Sequence, residues 1–278
     1  MTTLSACLGL GIRSDLMLLK KSGLVTEHPD GVCVISPGNP DFYFGNFFAP
    51  FTHPTIETIP DVRKRFTELI GCHPGIEHES FAWSCQHADE KTLEVFAQNG
   101  FRVEQSLVLT CRPKQLLSPN KTVPDLVIRN ASQFDIASLW QLYARFTREQ
   151  SNGKLPPAEH RFLSARIHEF IELIKTGMGN WHVAVINGRI VAALGLFFEG
   201  PIGRFQEVLT DSRWRNRGIC AALVHKVSQD AFCNGVQDLI MVADSTYHAL
   251  RVYRNLGFQD IESLITVCKP SRQDQNTK

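Results

Sequence analysis

The sequence predicts an α/β fold of two tandem units, each a mixed, mostly antiparallel sheet flanked by helices. Three observations lead there. At 278 residues the chain has room for two hydrophobic cores. Its second half alternates strand and helix patterns in the order β-α-α-β-β-β-α-β-α-β. A helix–glycine–strand segment of the first half also recurs near the end.

The elements follow in order. In the first half, Val32–Ser36 reads as a strand, Val62–Ile70 as a helix, Phe81–Cys85 as a strand and Thr92–Gln98 as a helix. From Arg112 to Asp125 three prolines and little apolar periodicity mark a linker. This sets a boundary near Ser118–Asn120, with domains at 1–118 and 119–278. Beyond it Leu126–Arg129 is a short strand. Ser132 caps a helix from Gln133 to about Gln150, whose apolar stripe is Ile136, Leu139, Trp140 and Tyr143. After a polar break at Ser151–Pro157 comes a second helix, with Phe162, Ile167, Phe170 and Ile171 apolar. Trp181–Ile186 and Arg189–Phe198 form a hairpin about Asn187-Gly188, a dipeptide that suits a type I′ turn. A strand near Phe205–Thr210, a helix from about Gly218 to Cys233 and a strand at Leu239–Ala243 come next. A helix at about Thr246–Leu256 and a last strand near Ser263–Val267 complete the half.

The repeat is read by direct alignment. Leu93–Leu109 is LEVFAQNGFRVEQSLVL and Leu250–Thr266 is LRVYRNLGFQDIESLIT; without gaps they agree at six of seventeen positions. Phe96 faces Tyr253. Shared propensities account for part of the match, because both segments are a helix, a glycine stop and a strand.

Bulk properties narrow the function. A net charge of +1 offers no field for holding nucleic acid or an anionic membrane. The eight cysteines are scattered without CxxC spacing, which fits a reducing compartment and a cytoplasmic location. Leu4-Ser5-Ala6-Cys7 is similar to a lipoprotein cleavage box, but only three residues precede it and no apolar leader is present. No membrane span is expected, since no apolar run reaches about eighteen residues.

The chemistry concentrates between Val208 and Leu223, VLTDSRWRNRGICAAL. An apolar strand ends, a basic loop follows, and a helix begins at Gly218. Ile219, Leu223, Val227 and Ala231 recur at four-residue steps, and Asn234-Gly235 supplies the stop. The first turn of a helix has unpaired N–H groups and the positive end of the dipole. Glycine lets a phosphate approach the backbone there, and Arg213, Arg215 and Arg217 add charge. A pyrophosphate cradle is the functional reading; an ordinary strand–loop–helix with a solvated basic loop is the alternative for this segment taken alone.

Arg215-Asn216-Arg217-Gly218-Ile219-Cys220 resembles the (Gln/Arg)-x-x-Gly-x-(Gly/Ala) signature of the GNAT superfamily of N-acetyltransferases. Ala249 to Phe258, ALRVYRNLGF, is similar to the second signature of that family. The resemblance covers about residues 126–268 and departs at Cys220, where the family prefers Gly or Ala. It implies tandem acyl-CoA N-acyltransferase-like domains, with the catalytic one C-terminal and acetyl-CoA as cosubstrate. The pantetheine arm would pair with backbone near Leu209 and Thr210. The pyrophosphate would take N–H groups from Arg215, Asn216, Arg217, Gly218, Ile219, Cys220 and Ala221.

The implied reaction is direct attack of an amine on the thioester, so two protons must move. Tyr253 matches the family position of the acid that protonates the leaving thiolate. It also lies on a helix face with Ala249, Val252 and Leu256, where an aromatic is commonly core. Glu207 could accept the proton of the attacking ammonium, directly or through water, or could be a solvent-facing strand residue.

The N-terminal copy is expected to be degenerate. It keeps Gly100-Phe101 but has Phe96 for Tyr253, and Ile59-Pro60-Asp61-Val62-Arg63-Lys64-Arg65 where a cradle would stand. The aromatic run Phe42–Phe48 reads as a core strand and turn, or as lining for a domain interface. Cys72, His73, His78, Cys85 and His87 match no closed zinc spacing, so no metal is expected. Gly9-Leu10-Gly11 lacks the strand and third glycine of a dinucleotide fingerprint. The partners implied are acetyl-CoA and a primary amine, small molecule or protein, and a homodimer is compatible with the sequence. A non-catalytic acyl-CoA-binding or regulatory protein, or an enzyme using a longer acyl donor, is the alternative.

Overall fold

The computed structural model describes residues 4–270. The first half carries α1 (Leu10–Ser22), β1 (Leu24–His28), β2 (Gly31–Ile35), β3 (Phe47–Pro50), α2 (Ile59–Leu69), β4 (Glu79–Cys85), α3 (Glu90–Gln98) and β5 (Arg102–Cys111). The second carries β6 (Val127–Asn130), α4 (Ile136–Gln150), α5 (Pro157–Lys175), β7 (Gly179–Ile186), β8 (Arg189–Glu199) and β9 (Ile202–Thr210). It ends with α6 (Ile219–Cys233), β10 (Asp238–Asp244), α7 (Ala249–Asn255) and β11 (Gln259–Lys269). The α/β class and mostly antiparallel pairing expected from the sequence are those observed. The run β-β-β-α-β-α-β occurs twice, once in each half.

The chain forms two compact units. One holds the residues up to Val108, Ala243–Ser245 and the chain from Ile261 onward; the other holds Leu109–Val242 and Thr246–Asp260. This differs from a single cut near Ser118–Asn120, and the reason is strand pairing. From Ser263↔Cys85 to Lys269↔Glu79, β11 lies antiparallel on β4, so the last strand belongs to the first unit.

In that first unit the strands run in the order β1-β2-β3-β4-β11-β5. Phe66, Phe81, Phe96, Phe101 and Trp83 fill its core, joined by Ile265 and Val267 of β11. Phe81 and Phe66 meet edge to face at 5.5 Å, as do Phe96 and Phe101 at 5.2 Å, the geometry that aromatic quadrupoles favour. The Phe42–Phe48 run becomes a 3-10 turn (Tyr43–Gly45) and the buried strand β3. Buried His78 lies within 3.2 Å of the Asn46 carbonyl through Nε2.

In the second unit β6, β7, β8 and β9 pair antiparallel in sequence, and β10 adds parallel to β9. The hairpin turn has Asn187 at φ 50° and Gly188 at φ 74°, the two positive values a type I′ turn requires. Ser132 and Asp135 form a capping box around a 3-10 turn (Gln133–Asp135), so α4 starts at Ile136 rather than Gln133. Side chains alternate across β7. Trp181 packs against Tyr143 of α4 and Phe170 of α5, while His182 faces the α6 side, where it feels Asp230. The helices therefore cover both faces. Burial on the α6 side pushes the His182 pKa down to about 4.

Candidate active site

Two irregularities in β9 and its exit loop shape the site. Opposite β8, the register jumps from Ala193↔Leu209 to Gly195↔Gln206, so Glu207 and Val208 together face Leu194. This is a β-bulge, and Glu207 takes a left-handed φ of 50° to make it. Its carbonyl, displaced from the ladder, accepts a 2.6 Å hydrogen bond from Tyr143 Oη. On the other edge, β9 pairs with β10 only from Asp238↔Ile202 to Ile240↔Arg204 among the described residues. Beyond Arg204 the backbone edge of β9 is released from β10.

The exit loop is built on Asp211. This buried carboxylate accepts from Arg213 N at 3.1 Å, from Arg213 Nε at 3.0 Å and from Arg213 Nη2 at 2.7 Å, and Arg145 holds its other side. The hydrogen bonds from Arg213 hold its carboxyl below the usual range, against the opposing effect of burial. Arg217 stacks on Trp214 at 4.8 Å. Asn216 and Gly218 both adopt positive φ, 64° and 85°, turning successive N–H groups to one side. Gly218 is the N-cap of α6 and gives it no side-chain cap. The first intrahelical bond is Ala222 N to Gly218 O at 3.0 Å, which leaves the amides of Ile219, Cys220 and Ala221 for another acceptor.

These amides open into a cavity of about 120 Å³. Arg215, Asn216, Gly218, Ile219, Cys220 and Ala221 line it, together with Thr210 and Tyr253. Tyr253 is only 3% exposed. Burial pushes its phenol well above the ordinary range, and nearby Cys220 and Tyr247 add to the rise. It therefore stays protonated at neutral and alkaline pH. Burial likewise pushes the Cys220 thiol up to about 12, so it lines the wall as a neutral group.

Three sequence candidates lie outside the cavity lining. Leu209 is buried on the face opposite Thr210, and Val208 lines the cavity instead. Arg217 lies on Trp214. Glu207 points toward α5, with Oε1 3.7 Å from Arg166 Nε. The sequence reading missed Val208, Trp214, Tyr247 and His248 as lining residues. The aromatic pair Tyr247-His248, just ahead of α7, was the available signal.

The corresponding place in the first unit is closed. There α2 begins at Ile59, whose N–H bonds Thr55 O at 3.1 Å, and Pro60 has no N–H at all. Phe96, at the Tyr253 position, is fully buried in the aromatic core.

Residues 136–258 match the model of the acetyltransferase (GNAT) family. Over this stretch, less than half of the chain, the sequence is similar to that family. Solved structures have a similar fold over most of the chain. A functionally unknown conserved protein from Staphylococcus epidermidis superposes with a TM-score of 0.69 at 18% identity, covering 90% of this chain and 94% of that one. A GCN5-related N-acetyltransferase from Sphaerobacter thermophilus gives 0.61 at 18% identity over 93% and 86%. A tandem GNAT protein from the clavulanic acid biosynthesis pathway gives 0.51 at 10% identity over 80% and 72%. At these identities the likeness is one of fold. No curated protein sequence compared with the chain matches it. No helix among the described residues is long and apolar enough to cross a membrane.

The lining of this cavity fits an anion such as a diphosphate. Uncapped amides and two left-handed residues, one of them Gly218, surround one end of the cavity. Arg215 lines the cavity, and its buried Nη2 makes no hydrogen bond, facing Glu149 Oε2 at 3.7 Å, so the guanidinium keeps donor capacity for an anion.

Proposed function

We propose that this protein is an N-acetyltransferase that moves the acetyl group of acetyl-CoA to a primary amine of a small molecule or a protein. One observation carries the reading: the uncapped start of α6 and the buried phenol of Tyr253 open into the same cavity. Acetyl-CoA supplies an activated thioester. The amides of Asn216 to Ala221 and the guanidinium of Arg215 hold its diphosphate, and the β9 edge near Thr210 pairs with the pantetheine arm. Tyr253, kept protonated by burial, donates its proton to the departing sulfur. Glu207, at the bulge and on the side toward α5, takes the proton from the attacking ammonium directly or through a water. Positioning supplies most of the rate, since direct transfer forms no covalent enzyme intermediate.

The test is thiol release from acetyl-CoA across a panel of amines. Release that needs an amine and falls roughly a hundredfold in Tyr253→Phe supports the proposal. Tight CoA binding with no release for any amine, unchanged by Tyr253→Phe, contradicts it and supports a binding protein.

A further inference from the structure

The segment between β5 and β6 passes directly against the cradle. A Cβ placed on Gly218 would lie 3.1 Å from Lys121 Cβ, 3.5 Å from Val123 Cγ2 and 3.8 Å from Lys121 Cδ. The aliphatic stem of Lys121 thus runs along the glycine that opens the turn. Its ammonium lies two bonds past Cδ, within reach of an anion seated on the neighbouring amides. Lys121 is exposed, and among the described residues no ion pair or hydrogen bond holds it. Val123 Cγ2 lies against the same glycine.

The loop arginines leave a need for this charge. Arg213 is spent on Asp211, and Arg217 on the Trp214 ring and the Arg213 carbonyl. Arg215 alone lines the cavity, and it also bonds the Thr210 carbonyl and faces Glu149 at 3.7 Å. A diphosphate carries two negative charges, so one shared guanidinium leaves it incompletely matched.

We propose that Lys121 is a diphosphate ligand of the cofactor site, supplied by the segment between β5 and β6. It lies outside residues 136–258, the stretch that matches the family model. The inference rests on the CoA reading of the cavity. It also gives that segment a task besides connection: its position sets cofactor affinity. A lysine suits this role as a mobile point charge, because the amides already supply the directional hydrogen bonds.

The experiment is calorimetric titration of the full chain with CoA and with 3′-dephospho-CoA at two salt concentrations. Lys121→Ala is expected to weaken both ligands roughly tenfold and to flatten the salt dependence, as loss of a charge-assisted contact would. Lys121→Arg should restore most of the affinity, and Lys121→Glu should lose more than Lys121→Ala. Because Lys121 is exposed, melting temperatures should stay at the wild-type value. Unchanged affinity and salt dependence in Lys121→Ala would overturn the inference while leaving the CoA site standing. A loss seen with CoA but absent with 3′-dephospho-CoA would overturn it too, by placing the lysine on the 3′-phosphate. Failure of the wild-type chain to bind either ligand would remove the CoA reading and this inference with it.

Discussion

Tyr253 and Phe96 occupy the same position in two copies of one helix–glycine–strand turn. The Tyr253 carbonyl accepts the N–H of Phe258 at 3.1 Å, and the Phe96 carbonyl accepts that of Phe101 at 3.1 Å. Gly257 and Gly100 close both turns at φ 94° and 83°, each donating to the residue three before it at 3.0 Å. The backbones agree and the side chains diverge: the phenol lines a cavity, and the phenyl ring is sealed in a core.

Exchanging the two side chains should therefore have opposite consequences. Tyr253→Phe is expected to keep the fold and lower kcat roughly a hundredfold, with little change in KM for acetyl-CoA. The alkaline side of the wild-type pH profile should stay flat up to about pH 10, because the raised phenol pKa keeps the acid protonated. Phe96→Tyr should add no activity and cost about 1–3 kcal/mol, since its new hydroxyl is buried among aromatic rings. Steady-state kinetics and thermal melts read both.

Gly218→Ala tests the cradle. A side chain at φ 85° is strained, and its Cβ would press on the Lys121 stem at 3.1 Å. Affinity for CoA should drop more than tenfold, with a stability loss of about 1 kcal/mol or more. Calorimetry and melting curves separate the two effects.

Asp211 makes stability depend on pH. Its folded carboxyl lies below the usual range because of Arg213, so its contribution is fully present above the unfolded value near 4. That contribution is lost as pH falls through this value toward the folded one. Asp211→Asn should cost about 1–2 kcal/mol at pH 7, a figure held down because Arg213 and Arg145 are partly exposed. The difference in melting temperature between the two chains should narrow progressively as the pH falls below about 4.

Cys220 provides a chemical test of the cavity wall. With its thiol pushed up to about 12, iodoacetamide at pH 8 should leave it unmodified while exposed Cys72 and Cys233 react. Peptide mapping by mass spectrometry gives the answer. Cys220→Ala is expected to retain the fold.

Much of the second half was legible because its periods are clean. The Asn187-Gly188 hairpin, the Gly218 helix start and the Gly257 stop each follow from a residue with a specific backbone need. The first half was harder to read. Helix α1 follows Gly9 and contains Gly11, which weakened its helical pattern, and β1 is a short strand with little burial. Which of two neighbouring residues faces the cavity was hidden by the bulge. One extra residue at Glu207 and Val208 breaks the alternation, so Val208 lines the cavity and Leu209 is turned away. The place of β11 beside β4 was equally hidden, because alternation in a strand says which face is apolar and not which strand lies next to it.

The most direct measurement is a titration of the full, isotopically labelled chain with CoA, following amide shifts alongside calorimetric stoichiometry. The account predicts one CoA per chain, with the largest shifts at the amides of Asn216 to Ala221 and none at the start of α2. Shifts that bypass those amides, or a second CoA bound at the α2 end, would contradict it.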